Sequence, residues 1–205
     1  MSKEVILQVD NFFKYRIQDI ELYNEAGLQH ELAIFLREVL DNAKVRLEYS
    51  VYELPSIFPN KNKKFIKKEI DIFIEYNKEK VVVELKFPRK DAGFPIQIYK
   101  AIEDIAFCEE VLSSRKATNF LAIFLTDHSS VMAKKEGRTK NKKHIYSLFN
   151  ADNPKLKELK IDSSYPNFIL KNASFKSINL KNEYDLNWVD LNHKNGSFRY
   201  YIISK

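Results

Sequence analysis

The chain has 205 residues, of which 44% are hydrophobic and 30% charged, with a net charge of +6. This composition supports a buried core and excludes a disordered chain, and four glycines with six prolines leave little room for long flexible linkers. The one cysteine, Cys108, excludes an internal disulfide framework and a zinc site of several thiolates, and it reads as a small buried side chain on a helix.

Residues 5–23 mix apolar and polar positions, with Phe12, Phe13, Ile17 and Ile20 as core contacts and an ambiguous secondary structure. A helix is expected over 25–42, with Asn24 as N-cap and Leu28, Leu32, Phe35, Leu36 and Val39 as its apolar face. Residues 45–53 alternate as a strand, and Pro55 and Pro59 then break the chain. Residues 68–76 alternate cleanly, with Ile70, Ile72 and Ile74 on one side and Glu69, Asp71 and Phe73 on the other. A tight polar turn at 77–80 leads into a strand over 80–87, so the pair reads as a hairpin. Pro95 suits the first turn of a helix reaching about Leu112, and the apolar run 119–126 suits a strand buried on both faces. A less regular region follows to about Leu170. Strand-like pieces then flank a turn at Asn195 and Gly196. One domain over 1–205 is expected, with a core over about 24–126 and a C-terminal, strand-containing extension over about 127–205. No basic-then-apolar leader opens the sequence and no apolar run nears the ~18 residues that span a bilayer, so a cytoplasmic protein with no membrane partner is expected.

A hairpin turn centred between Lys78 and Glu79 sets Asp71 opposite Lys86 and Phe73 opposite Glu84, with Asp71 diagonal to Glu84. Asp71, Glu84 and Lys86 then share one face, while Ile70, Ile72, Ile74, Val81, Val83 and Leu85 take the core face. Neighbouring carboxylates repel unless a cation neutralises them, and a hard divalent ion such as Mg²⁺ does so with oxygen ligands. A lysine beside them orients water and offsets developing negative charge, as metal-assisted phosphodiester hydrolysis requires. The other reading of the three is a salt-bridged patch on a half-exposed sheet.

Glu31 falls at the edge of the apolar stripe of its helix, facing the sheet or reaching out to water. Gln97, Lys100 and Asp104 share a polar face of the next helix, where a Gln and a Lys close to a metal hold a phosphate or a water, or else stay solvated. Lys61, Lys63, Lys64, Lys67 and Lys68 form one basic run, and Lys134, Lys135, Arg138, Lys140, Lys142 and Lys143 a second. With Arg89, Lys90 and Lys100 they are candidate phosphate contacts, against the alternative of solvated loops. His30, His128, His144 and His193 show no metal-ligand spacing, and neither a Gly-rich phosphate loop nor a Gly-x-Ser-x-Gly elbow occurs.

The element order and the residues EIDIFIEY and VVVELKF resemble the PD-(D/E)XK, or restriction-endonuclease-like, superfamily over about 24–126. The resemblance implies an α/β fold with an αβββαβ core, a mixed central sheet flanked by helices. It implies Mg²⁺, or Mn²⁺ in its place, held by Asp71 and Glu84, a water-handling role for Lys86, and an auxiliary metal or water contact by Glu31, with Gln97 as a further catalytic candidate. Residue 70 is Ile where the family name has Pro, and Ala101 follows Gln97 by four where one branch has Tyr. The expected activity is DNA endonuclease, restriction-like or otherwise defensive, and the small size suits a homodimer. A repair or junction-resolving nuclease, or a non-catalytic binding module on the same fold, are the alternatives.

Overall fold

A computed structural model describes residues 3–54, 66–67, 69–89, 93–128, 131, 155–159 and 176–205. The ambiguous N-terminal stretch is helical: α1 spans Lys3–Lys14, and a single 3₁₀ turn covers Arg16–Asp19. Val5, Val9, Phe12 and Phe13 recur at helical spacing and are buried, which settles the period that the mixed sequence obscures. Helix α2 is Glu25–Val39, and the Asn24 Oδ1 accepts from the Gly27 N–H at 2.7 Å as its N-cap. Val39, expected in the core, is exposed in the last turn.

Strands β1 (Lys44–Ser50), β2 (Glu69–Tyr76) and β3 (Glu79–Lys86) pair antiparallel in sequence order. The β2–β3 turn is only Asn77-Lys78, both with positive φ (47° and 66°), the geometry that two-residue hairpins favour. The expected register is therefore corrected by two residues. Ile72 faces Val83 and Phe73 faces Val82, so continuing the register sets Asp71 level with Glu84, not with Lys86. Helix α3 (Phe94–Ser113), with Pro95 in its first turn, crosses to β4 (Asn119–Thr126), which lies parallel to β3 and is buried along its whole length.

The C-terminal strands are not an appendage. Strand β8 (Gly196–Ser204) pairs antiparallel with β4, and β7 (Val189–His193) pairs with β8, giving a six-stranded sheet in the order β1-β2-β3-β4-β8-β7. Strands β5 (Lys155–Leu159) and β6 (Ile178–Asp185) form a separate pair. The result is a mixed α/β fold with a mostly antiparallel central sheet between helices. Ile72, Ile74, Val81, Val83, Leu85, Leu121 and Ile123 pack with α1 and α2 on one face. Phe73, Val82, Phe120, Phe124, Tyr201 and Ile203 pack with α3, β5 and β6 on the other. Ile70 departs from the expected alternation and joins the α3 side, beyond an irregularity where Glu48 takes a left-handed φ of 47°. No helix among the described residues is long and apolar enough to cross a membrane.

Candidate active site

Period-two alternation sends Val82, Glu84 and Lys86 toward α3. Asp71 comes to the same side from β2, and two interactions fix it. Its Oδ2 accepts from the Leu85 N–H at 2.7 Å, and its carbonyl accepts from Gln29 Nε2 at 2.5 Å. Gln29, buried on α2, also donates to Glu48 Oε1 at 2.8 Å, and so ties α2 to β1 and β2. Glu84 is 1% exposed.

Lys67, just before β2, reaches into this space. Its Nζ lies 3.6 Å from Asp71 Oδ1 and 3.1 Å from Asp104 Oδ1, and it donates a hydrogen bond to Glu84 Oε2. Lys86 Nζ lies 3.0 Å from Asp104 Oδ2 and 3.3 Å from Glu25 Oε1, and donates to the Leu85 carbonyl at 2.7 Å. Glu25 Oε2 accepts from the Phe87 N–H at 2.9 Å. Among the described residues, two ammoniums thus face four carboxylates, Glu25, Asp71, Glu84 and Asp104. With all four ionised, these groups leave two negative charges in excess, which one divalent cation would neutralise.

The electrostatics carry that imbalance. Burial pushes the Glu84 carboxyl well above the usual range, and repulsion from Asp104 and Asp71 adds to it against the pull of Lys67. Burial also raises Asp104, with Lys86 and Lys67 opposing. Burial alone would lower Lys67 and Lys86. The carboxylates outweigh it, chiefly Glu84 and Asp104 for Lys67 and Asp104 and Glu25 for Lys86, and hold both ammoniums above their ordinary range.

The structure brings Asp71, Glu84 and Lys86 together, and it adds Asp104, Lys67, Glu25 and Gln29. Glu31 does not join them. It lines a surface hollow with Arg16, Asp19, Tyr23 and His30, on the far side of α2 from Gln29. Glu25 and Gln29, four apart, take the face that was expected of Glu31. Gln97 is half-buried in the first turn of α3, two turns before Asp104, and Lys100 is exposed. Lys67, expected as a phosphate contact, instead binds carboxylates. Arg89 is held by Asp127 at 2.9 Å and the Leu22 carbonyl at 2.8 Å. Lys61, Lys63, Lys64, Lys68, Lys90, Lys134, Lys135, Arg138, Lys140, Lys142, Lys143 and His144 lie outside the described residues. Cys108 is buried as expected.

The donor set fits a hard cation. It is oxygen-only, Glu84 Oε1 is buried without a hydrogen-bond partner, and a lysine ammonium already sits where positive charge is needed. Among the described residues no group of three or more His, Cys, Asp or Glu side chains is arranged to hold a metal ion as it stands, since the carboxylates are gathered on Lys67 instead. No family model and no curated protein matches the sequence. The solved structure of SSO0001 is similar at 19% identity over 61% of this chain and 52% of its own, with a TM-score of 0.29. This chain therefore spans about half the length of that one, and a likeness at this level carries no argument about fold or function.

Proposed function

We propose that the protein is a Mg²⁺-dependent nuclease that hydrolyses DNA phosphodiester bonds, of the PD-(D/E)XK kind and restriction-like or otherwise defensive in role. The observation that carries this reading is the convergence of Asp71, Glu84 and Lys86 at one end of the β2–β3 hairpin, with more carboxylates than ammoniums around them. A fold alone gains little from such a cluster, because desolvating charges costs about as much as pairing them returns.

Asp71 and Glu84 would hold the divalent ion, which when bound would supply charge neutralisation at the scissile phosphate and polarisation of a water. The Leu85 N–H keeps Asp71 Oδ1 turned inward by binding Oδ2. Asp104 and Glu25 hold Lys86 charged and fix its position. Its ammonium is then placed to stabilise negative charge that develops on the reacting phosphate. The net charge of +6 draws a polyanion toward the protein.

The test is cleavage of supercoiled, linear, branched and single-stranded DNA by the purified chain, with Mg²⁺ and with a chelator. Asp71→Asn and Lys86→Ala should each slow cleavage by about a hundredfold or more while DNA binding and folding persist. Wild-type rates in both variants would place the active site elsewhere. A strong preference for branched DNA would favour a repair or junction-resolving role.

A further inference from the structure

Three carboxylate oxygens from three elements point at one atom. Asp71 Oδ1 from β2, Glu84 Oε2 from β3 and Asp104 Oδ1 from α3 all face Lys67 Nζ. Asp71 Oδ2 is held by the Leu85 N–H, and Asp104 Oδ2 is ion-paired with the Lys86 ammonium at 3.0 Å but, like Glu84 Oε1, is buried without a hydrogen bond. The inward oxygens form a cradle, and a cation lies in it. Asp104 is not part of the β-hairpin set on which the proposed function stands, yet it is 4% exposed and contributes as directly as Asp71 does. A desolvated carboxylate needs hydrogen-bond donors or a cation to compensate it, and at Asp104 the compensation comes from the Lys67 and Lys86 ammoniums. Lys67 is suited to a temporary role, since its single charge rides on a flexible stem. Its neighbour Ile66 is tied to the same helix, with the backbone N–H donating to Glu110 Oε2 at 3.2 Å.

On the reading that Asp71 and Glu84 bind a divalent ion, we infer that Asp104 is the third carboxylate ligand of that ion, and that the Lys67 ammonium fills the same position in the cation-free protein. Ion binding and the Lys67 contact are then mutually exclusive. The outer oxygen of Asp104 stays with Lys86 in both states, which couples the cation site to the lysine proposed to face the phosphate.

Mn²⁺ titration of the full chain by calorimetry, without DNA, tests this on the wild type and on Lys67→Met, Asp104→Asn and Glu84→Gln. Lys67→Met should bind Mn²⁺ about tenfold more tightly than the wild type, roughly 1.4 kcal/mol, because no ammonium has to be expelled. Its melting temperature should be lower without Mn²⁺ and should rise further on adding it. Asp104→Asn should bind about tenfold more weakly. Unchanged or weaker binding in Lys67→Met overturns the shared position, and unchanged binding in Asp104→Asn overturns the third ligand. Binding that is lost in Glu84→Gln but kept in Asp104→Asn sinks this inference and leaves the proposed function standing. No binding by any of the four proteins sinks both. Should Asp104→Asn fail to fold, Asp104→Glu keeps the charge but moves the oxygens. It should still alter Mn²⁺ affinity, and wild-type affinity there counts against Asp104.

Discussion

Buried carboxylates lie at two places along α3, Glu109 at one and Asp104 with Glu84 of β3 at the other, and the two are built in opposite ways. Glu109 accepts four hydrogen bonds: from the Lys181 N–H at 2.7 Å, the Asn182 N–H at 2.8 Å, Asn182 Nδ2 at 2.7 Å and the Tyr184 hydroxyl at 2.8 Å. Burial would raise its pKa, but those donors, led by Lys181 and Asn182, outweigh burial and lower it. Among the described residues, Glu84 and Asp104 have no such donors from the backbone. They are raised, they repel each other, and they depend on two lysines for compensation. A carboxylate that serves structure is satisfied by fixed neutral donors. A carboxylate that depends on mobile cations leaves room for those cations to be exchanged. This contrast, more than burial itself, separates the candidate site from the rest of the α3 face.

The largest expected effect comes from breaking the satisfied side. Glu109→Ala leaves several buried donors unpaired where β6 meets α3 and should cost about 3 kcal/mol in urea unfolding, without a specific effect on Mn²⁺ affinity. A cost below about 0.5 kcal/mol would mean that water replaces the carboxylate there and that the contrast is overstated.

Gln29 sharpens the comparison from between the two classes, because it is a satisfied buried polar group that serves the site. Gln29→Ala should cost about 1–2 kcal/mol by freeing Glu48 and the Asp71 carbonyl. Because Asp71 would lose its anchor, Mn²⁺ affinity and DNA cleavage should fall as well. Wild-type Mn²⁺ affinity combined with lowered stability would make Gln29 a purely structural bridge.

How much of this the sequence reveals depends on the range of the contact involved. The face shared by Asp71, Glu84 and Lys86 is legible, and a two-residue error in register does not disturb it, because side-chain direction repeats every two residues. The register itself is not legible until the turn is known to be Asn77-Lys78. Helix phase is finer-grained, at about 100° per residue. Choosing Glu31 over Glu25 and Gln29 for the inward face is an error of that kind. Gln29 does leave a signal, since Ala33 and Leu36 follow it at helical spacing on the buried side. So does Asp104, which has Ala101, Phe107, Cys108 and Val111 as its helical neighbours, all buried. Lys67 leaves none. Nothing local distinguishes it from Lys63 or Lys64, and only the tertiary fold turns it inward. The pairing of β8 with β4 is equally long-range, which is why the C-terminal strands look like an appendage in the sequence.

The smallest effect is also the most diagnostic, because it turns on a sign. The folded protein holds the Glu84 proton at pH values where the unfolded chain has released it. Stability from this group is therefore full in acid, and it falls as pH rises from the ordinary carboxylate range toward the raised value. Gln cannot titrate, so Glu84→Gln should gain on the wild type, in melting temperature without divalent ions, as pH rises through that window. Glu109 works the other way. Its lowered pKa contributes stability above the ordinary carboxylate range, and this is lost as pH falls through the folded value. Glu109→Gln should therefore lag the wild type most at neutral pH and approach it in acid. Groups common to each pair cancel in the differences, and Lys67, which Glu84 helps to hold above its ordinary range, stays charged throughout this window. Saturating Mg²⁺ should shrink the Glu84→Gln gain, because a bound cation favours the ionised carboxylate that the proton otherwise neutralises. Differences of the same sign for the two variants would show that Glu84 on β3 and Glu109 on α3 are two ordinary structural carboxylates. A gain in Glu84→Gln that Mg²⁺ leaves untouched would show a strained cluster with no cation to relieve it.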